Sequence, residues 1–171
     1  MAVAAKEILE KGQPILSMID PLDYAAKVPE AFDSSIGAHF RHCLDHFQNL
    51  LDSLESGTVD YDSRQRDPLI ENDPSAALAK TSELLARLDQ IGDHLPEAVQ
   101  VRCKVSYSCD ETTPVPSTPA RELMFCVSHA IHHHAMIRMI GAMRGIDLFG
   151  TMGVAPSTVA HRLQTASAPG A

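Results

Sequence analysis

Ser128-His129-Ala130-Ile131-His132-His133-His134-Ala135-Met136-Ile137 holds four of the chain's nine histidines and lies within a run, Glu122 to Met143, that reads as one long helix. At about 100° per residue His129 and His133 stand roughly 40° apart, one turn above the other, so both can reach a common atom. His132 points about 60° to the other side of His129, and His134 about 140° away. Three consecutive histidines therefore cannot all chelate one ion, but the i, i+4 pair can. The pair falls among Leu123, Cys126, Ala130, Ile137 and Ile140, in the apolar sector of the helix. Imidazoles aimed at a core must be hydrogen-bonded, paired or metal-bound.

Working outward, Thr118-Pro119 supplies a cap and a first-turn proline for this helix, which is expected to run to Gly145. Upstream, Asp33, Ser34 and Ser35 offer caps for a helix over residues 35–55, ended by Gly57. Its wide apolar face (Ile36, Phe40, Cys43, Phe47, Leu50, Leu54) suits a bundle helix. Residues 3–19 form an apolar-periodic helix that Gly12 and Pro14 should break near residue 13. Asp73-Pro74 opens another, to about residue 92, striped by Leu78, Leu84, Leu85, Leu88 and Ile91. Between them, residues 58–73 are polar and irregular, with Asp60, Asp62, Arg64, Arg66 and Asp67 in close succession. That stretch reads as a solvated crossover.

One segment changes period. From Val99 to Cys109 apolar and polar residues alternate strictly, which predicts a half-buried strand, with Thr58-Val59-Asp60-Tyr61 as candidate partner. Glu111 to Pro119 carries three prolines and reads as a loop. The fold expected is all-α: a four-helix bundle with a long crossover connection and one short β segment near 99–109. A single domain over residues 1–160 would be followed by a mobile tail, 161–171.

Composition removes several functions. A net charge of −8 with no basic stripe argues against nucleic acid, and 5% aromatics without tryptophan against base stacking. No apolar run nears the roughly 20 residues that span a bilayer, and the first residues lack a signal-peptide core. A soluble, cytoplasmic protein with Cys43, Cys103, Cys109 and Cys126 as free thiols is expected.

His39, His42 and His46 lie in one narrow sector of the second helix, at the edge of its apolar face. One of them beside the His129/His133 pair would give three converging imidazoles. Three protein ligands and an open position are what a catalytic divalent site needs. All-nitrogen ligation suits Zn, Ni or Fe(II). Asp45, a turn from His42, and Glu122, two turns before His129, are candidates to hold a ligand's outer N–H or to move a proton, as is His46. Glu122 reads equally well as a first-turn partner of the helix dipole. His94 and His161 read as solvated, and His134 as facing away from the site.

The stretch Ser128-His129-Ala130-Ile131-His132-His133 resembles the H-x-x-H-H core of the DinB/YfiT-like superfamily of metalloenzymes, and Ile36-Gly37-Ala38-His39-Phe40-Arg41-His42 resembles the start of its partner helix. The resemblance spans residues 3–160 and includes Gly153-Val154-Ala155-Pro156-Ser157-Thr158. It implies a divalent metal held by His42, His129 and His133, thiol-dependent transferase or isomerase chemistry, and a homodimer. The chain departs from the superfamily pattern where His39 and His46 crowd the first ligand position. It departs again where His134 replaces a common arginine. The expected function is a metal-dependent thiol transferase or hydrolase acting on a small molecule, with a low-molecular-weight thiol as cosubstrate. The rival is a non-catalytic, stress-related metal-binding bundle.

Overall fold

The structure, a computed structural model, describes residues 1–91, 95–148 and 150–167. Four helical arms make the bundle. The first is α1 (Ala2–Glu10) continued by α2 (Gln13–Met18). Lys11 and Gly12 between them keep right-handed helical dihedrals, so the interruption is a tightened turn rather than a loop, with Gly12 N–H on Leu9 O at 3.1 Å. A Cβ on Gly12 would stand 2.8 Å from the Phe40 ring. The sequence breaks here both because Pro14 cannot extend the hydrogen-bond ladder and because Phe40 needs the space.

After the short α3 (Pro21–Ala25) comes α4 (Ile36–Ser53), capped as expected by Ser35, whose Oγ accepts from Ala38 N–H at 3.0 Å. Gly57, at φ 71°, turns the chain out of it into β1 (Thr58–Asp60). The crossover then holds α5 (Pro68–Asn72) before α6 (Pro74–Ile91), so it is less irregular than its composition suggested. α5 lies hard against α4. Its Glu71 carbonyl oxygen would be 2.0 Å from a Cβ on Gly37, and Ile70 O accepts from the Tyr24 hydroxyl at 2.8 Å. The long α7 (Pro119–Met143), capped by Thr118, packs most extensively on α4 and also against α1. Phe47, Ile36, Leu50, Leu84, Leu123, Ile137 and Ile140 fill the space between the arms.

The β segment is shorter than the alternation predicts. β2 covers only Val99–Arg102, pairing in parallel with β1 (Val59 opposite Val101) and antiparallel with β3 (Val115–Ser117, Val99 opposite Ser117). The partner expected at residues 58–61 is therefore correct, whereas strand structure over 103–109 is not found. Val105 is 89% exposed and Tyr107 fully so. Among the described residues nothing covers that face, and period 2 without a neighbour to bury against does not make a strand. β3 falls where three prolines suggested a loop, and as an edge strand it tolerates Pro116. α8 (Pro156–Ser167) covers the first part of the stretch 161–171 read as a tail, whose residues 168–171 lie outside the described residues. Among the described residues no helix is long and apolar enough to cross a membrane, and all four cysteines are free.

Candidate metal centre

Capping fixes the register of α4 and α7, and their packing brings five histidines together. His42 Nε2 lies 2.8 Å from His129 Nε2, and one ring nitrogen from each of His42, His129 and His133 falls within 4.8 Å of the other two. His39 Nδ1 is 2.8 Å from His133 Nδ1. His46 donates its Nδ1–H to His42 O at 2.8 Å, which leaves its Nε2 as a lone pair. That ring stands 4.5 Å from His42 and 4.4 Å from His129, and stacks on Tyr61. Phe125 stacks on His129 at 5.5 Å and walls the other side.

Burial is the main electrostatic influence. It lowers the pKa of every one of the five, His42 to about 2, His133 to about 3 and His46 to about 4. Mutual repulsion among the rings pushes the same way. At neutral pH the cluster is a set of uncharged imidazoles, the form in which histidine binds metal. The donor set fits a divalent ion. Zn–N arms of about 2.05 Å arranged tetrahedrally put ligand nitrogens roughly 3.3 Å apart, so the 2.8 Å pair would open by about half an ångström and a pair at the 4.8 Å limit would close by about 1.5 Å.

The carboxylates expected near the rings are engaged elsewhere. Asp45 accepts from Arg41 at 3.0 Å, and Arg41 in turn donates to Glu71 at 2.9 Å. Burial raises the Asp45 pKa, and Arg41 works against that rise. Glu122, 1% exposed, accepts from the Tyr61 hydroxyl at 2.9 Å, Ser117 Oγ at 2.6 Å and Arg121 Nη1 at 3.2 Å. Neither carboxylate is hydrogen-bonded to a histidine among the described residues. Glu122 is linked to the cluster through Tyr61, which lies between it and His46. His132 and His161 are exposed, and His94 lies outside the described residues.

His134 stays out of the cluster, as its angle predicted, but it is not at the surface. The buried stripe of α7 runs Leu123, Cys126, Ala130, His134, Ile137, Gly141, so His134 holds its centre, while His129 and His133 flank it rather than lying within it. Its ring is 6.0 Å from Phe40, and its Nδ1 has no hydrogen-bond partner among the described residues. Burial, helped by Lys11, lowers its pKa from 6.5 to about 4. The folded chain keeps this ring neutral where the unfolded chain would protonate it, so acid favours unfolding. The stability it contributes is complete above about pH 6.5 and is lost as pH falls towards 4, a total of about 3 kcal/mol. Urea denaturation at stepped pH should show a shallower acid loss for His134→Leu than for the unaltered chain. Equal slopes would mean that this ring does not carry the effect.

Sequence reasoning missed Tyr61 and Arg64. Tyr61 had a signal, since it alternates with the inward-facing Val59. Arg64 had none that is local. It stands in the polar crossover and reaches back to hydrogen-bond His42 Nδ1 through Nη1.

A helical bundle whose two central helices pool their histidines into a three-nitrogen centre defines the class. Residues 16–137 match the family model described as the DinB superfamily, and the chain belongs to that superfamily. It is also 30% identical over 104 residues to FK506-binding protein 5 of Rhizopus delemar, a match that covers 60% of this chain and 27% of that protein. The matched stretch thus spans about a quarter of that relative's length. No solved structure matches the chain significantly.

Proposed function

We propose that this chain is a metal-dependent enzyme in which His42, His129 and His133 hold one divalent ion, and that it transfers a low-molecular-weight thiol to an electrophile or hydrolyses a small molecule. The observation that carries this reading is the convergence of three neutral imidazole nitrogens within 4.8 Å of one another. A divalent ion in such a site supplies Lewis acidity, lowering the pKa of a thiol or water. The chain's own residues divide the remaining work. His46, with its proton committed to His42 O, offers Nε2 as an acceptor for the proton a thiol or water gives up. Tyr61, anchored on Glu122, and Phe125 hold the His46 and His129 rings in place and exclude water from one side.

A second reading, a non-catalytic centre that staples the bundle, gains from the closeness of His46 to both His42 and His129. Joining as a fourth ligand, His46 would close the coordination sphere. Plasma mass spectrometry on protein purified without a histidine tag tests the shared premise. About one equivalent of Zn, Ni or Fe per chain is expected. No stoichiometric metal, after each ion has been added back, would remove both readings. Stripping the metal separates them. Loss of the helical fold itself belongs to the staple, whereas the stripped enzyme keeps its fold and gives up only the stability that any ion bound to the folded chain adds.

A further inference from the structure

Arg64 bears on which nitrogen of His42 can act. A guanidinium only donates, so the ring nitrogen it meets, Nδ1, must be the acceptor. The proton of His42 therefore stands on Nε2, which gives it to His129 Nε2 at 2.8 Å. The nitrogen that faces the other ligands is the protonated one. For Nε2 to offer its lone pair, the proton has to sit on Nδ1, where it would confront a second donor. A ligand imidazole needs an acceptor at that place. Arg64 and a metal ion exclude each other on His42.

Among the described residues no carboxylate is hydrogen-bonded to the Arg64 guanidinium, which forms no ion pair, and its Nε is buried without a hydrogen-bond partner. Asp45 and Asp62 influence it only from longer range. The neighbouring Arg41, by contrast, is bound to two carboxylates. The planar fork of arginine suits a carboxylate, which it can grip with two parallel hydrogen bonds.

We propose that Arg64 is the site's receptor for a carboxylate group on the thiol, and that it leaves His42 when a metal takes Nε2. The inference rests on the metal-centre reading above. It is tested on the full chain loaded with cobalt(II), titrated with mercaptopropionate and with its uncharged analogue mercaptoethanol while the visible spectrum is followed. The unaltered chain should prefer the carboxylate-bearing thiol. Arg64→Gln should lower that preference about tenfold, with partial rescue by Arg64→Lys, as expected for losing a charge-assisted hydrogen bond. Chelation by the carboxylate itself persists in the variant and cancels in the comparison. Arg64→Gln should also bind cobalt at least as tightly as the unaltered chain. An unchanged thiol preference, or weakened cobalt binding in Arg64→Gln, overturns the Arg64 assignment and leaves the metal centre standing. Failure of the unaltered chain to take up cobalt, or to respond to either thiol, overturns the reading beneath it as well.

Discussion

Alanine at any one of His42, His129 or His133 is expected to reduce bound metal from about one equivalent per chain to about a tenth or less, because two imidazoles rarely retain a divalent ion against water. Each ring sits at the edge of the buried stripe and is neutral, so its removal should cost only about 1 kcal/mol of stability. Alanine at His39 or His46 should leave the metal content largely intact, although His46→Ala should impair turnover if His46 takes the proton. Metal analysis and circular dichroism on the same preparations read both effects. Unchanged metal content in all three ligand variants would sink the assignment. Loss of metal together with loss of helical signal would move the centre from chemistry to scaffolding.

The second large effect concerns the fold. Gly37→Ala would place a Cβ 2.0 Å from the Glu71 carbonyl oxygen and 2.6 Å from the Tyr24 ring. The obstacle is backbone, which no rotamer change can clear. α5 is also tied down by the Tyr24 hydroxyl on Ile70 O and by Arg41 on Glu71, so relief requires breaking those bonds. About 3 kcal/mol or more of destabilisation follows, the upper range for overpacking. For a chain of 171 residues that is a fall in melting temperature of roughly 6–12 °C, measurable by calorimetry. An unchanged melting temperature would show that α5 does not press on α4. Because Arg64 lies just before α5, the same variant should disturb the face of His42.

The helices were legible because their ends are written locally. Ser35, Thr118-Pro119 and Asp73-Pro74 mark starts that a sequence shows without tertiary context, and the Gly12/Pro14 break does the same. The i, i+4 spacing of His129 and His133 was likewise a local fact, and so was the gathering of His39, His42 and His46 on one sector. What failed was whatever depended on a neighbour remote in sequence. Alternation over 103–109 looks the same whether or not a surface exists to bury Val105 and Tyr107. Pro116 argued for a loop, yet an edge position accommodates it. His134 was placed correctly relative to the candidate ligands. The His129/His133 pair, read as within the apolar sector, instead flanks a buried stripe centred on His134, since that centre depends on where α1 and α2 settle. Arg64 and Tyr61 come to the histidines from the crossover, a closure that no windowed pattern reports.

The connection from β2 to β3 has a practical corollary. Residues 103–114 are almost wholly exposed and carry no regular structure, so they form the natural place for a protease nick or an engineered cut. His42 would remain on one fragment, and His129 and His133 on the other. Neither fragment alone retains the His42, His129 and His133 set, and an ion bound by all three would bridge the pieces. Severed at this point, a chain whose three histidines hold the proposed ion would become a two-part reporter whose reassembly reads out divalent metal.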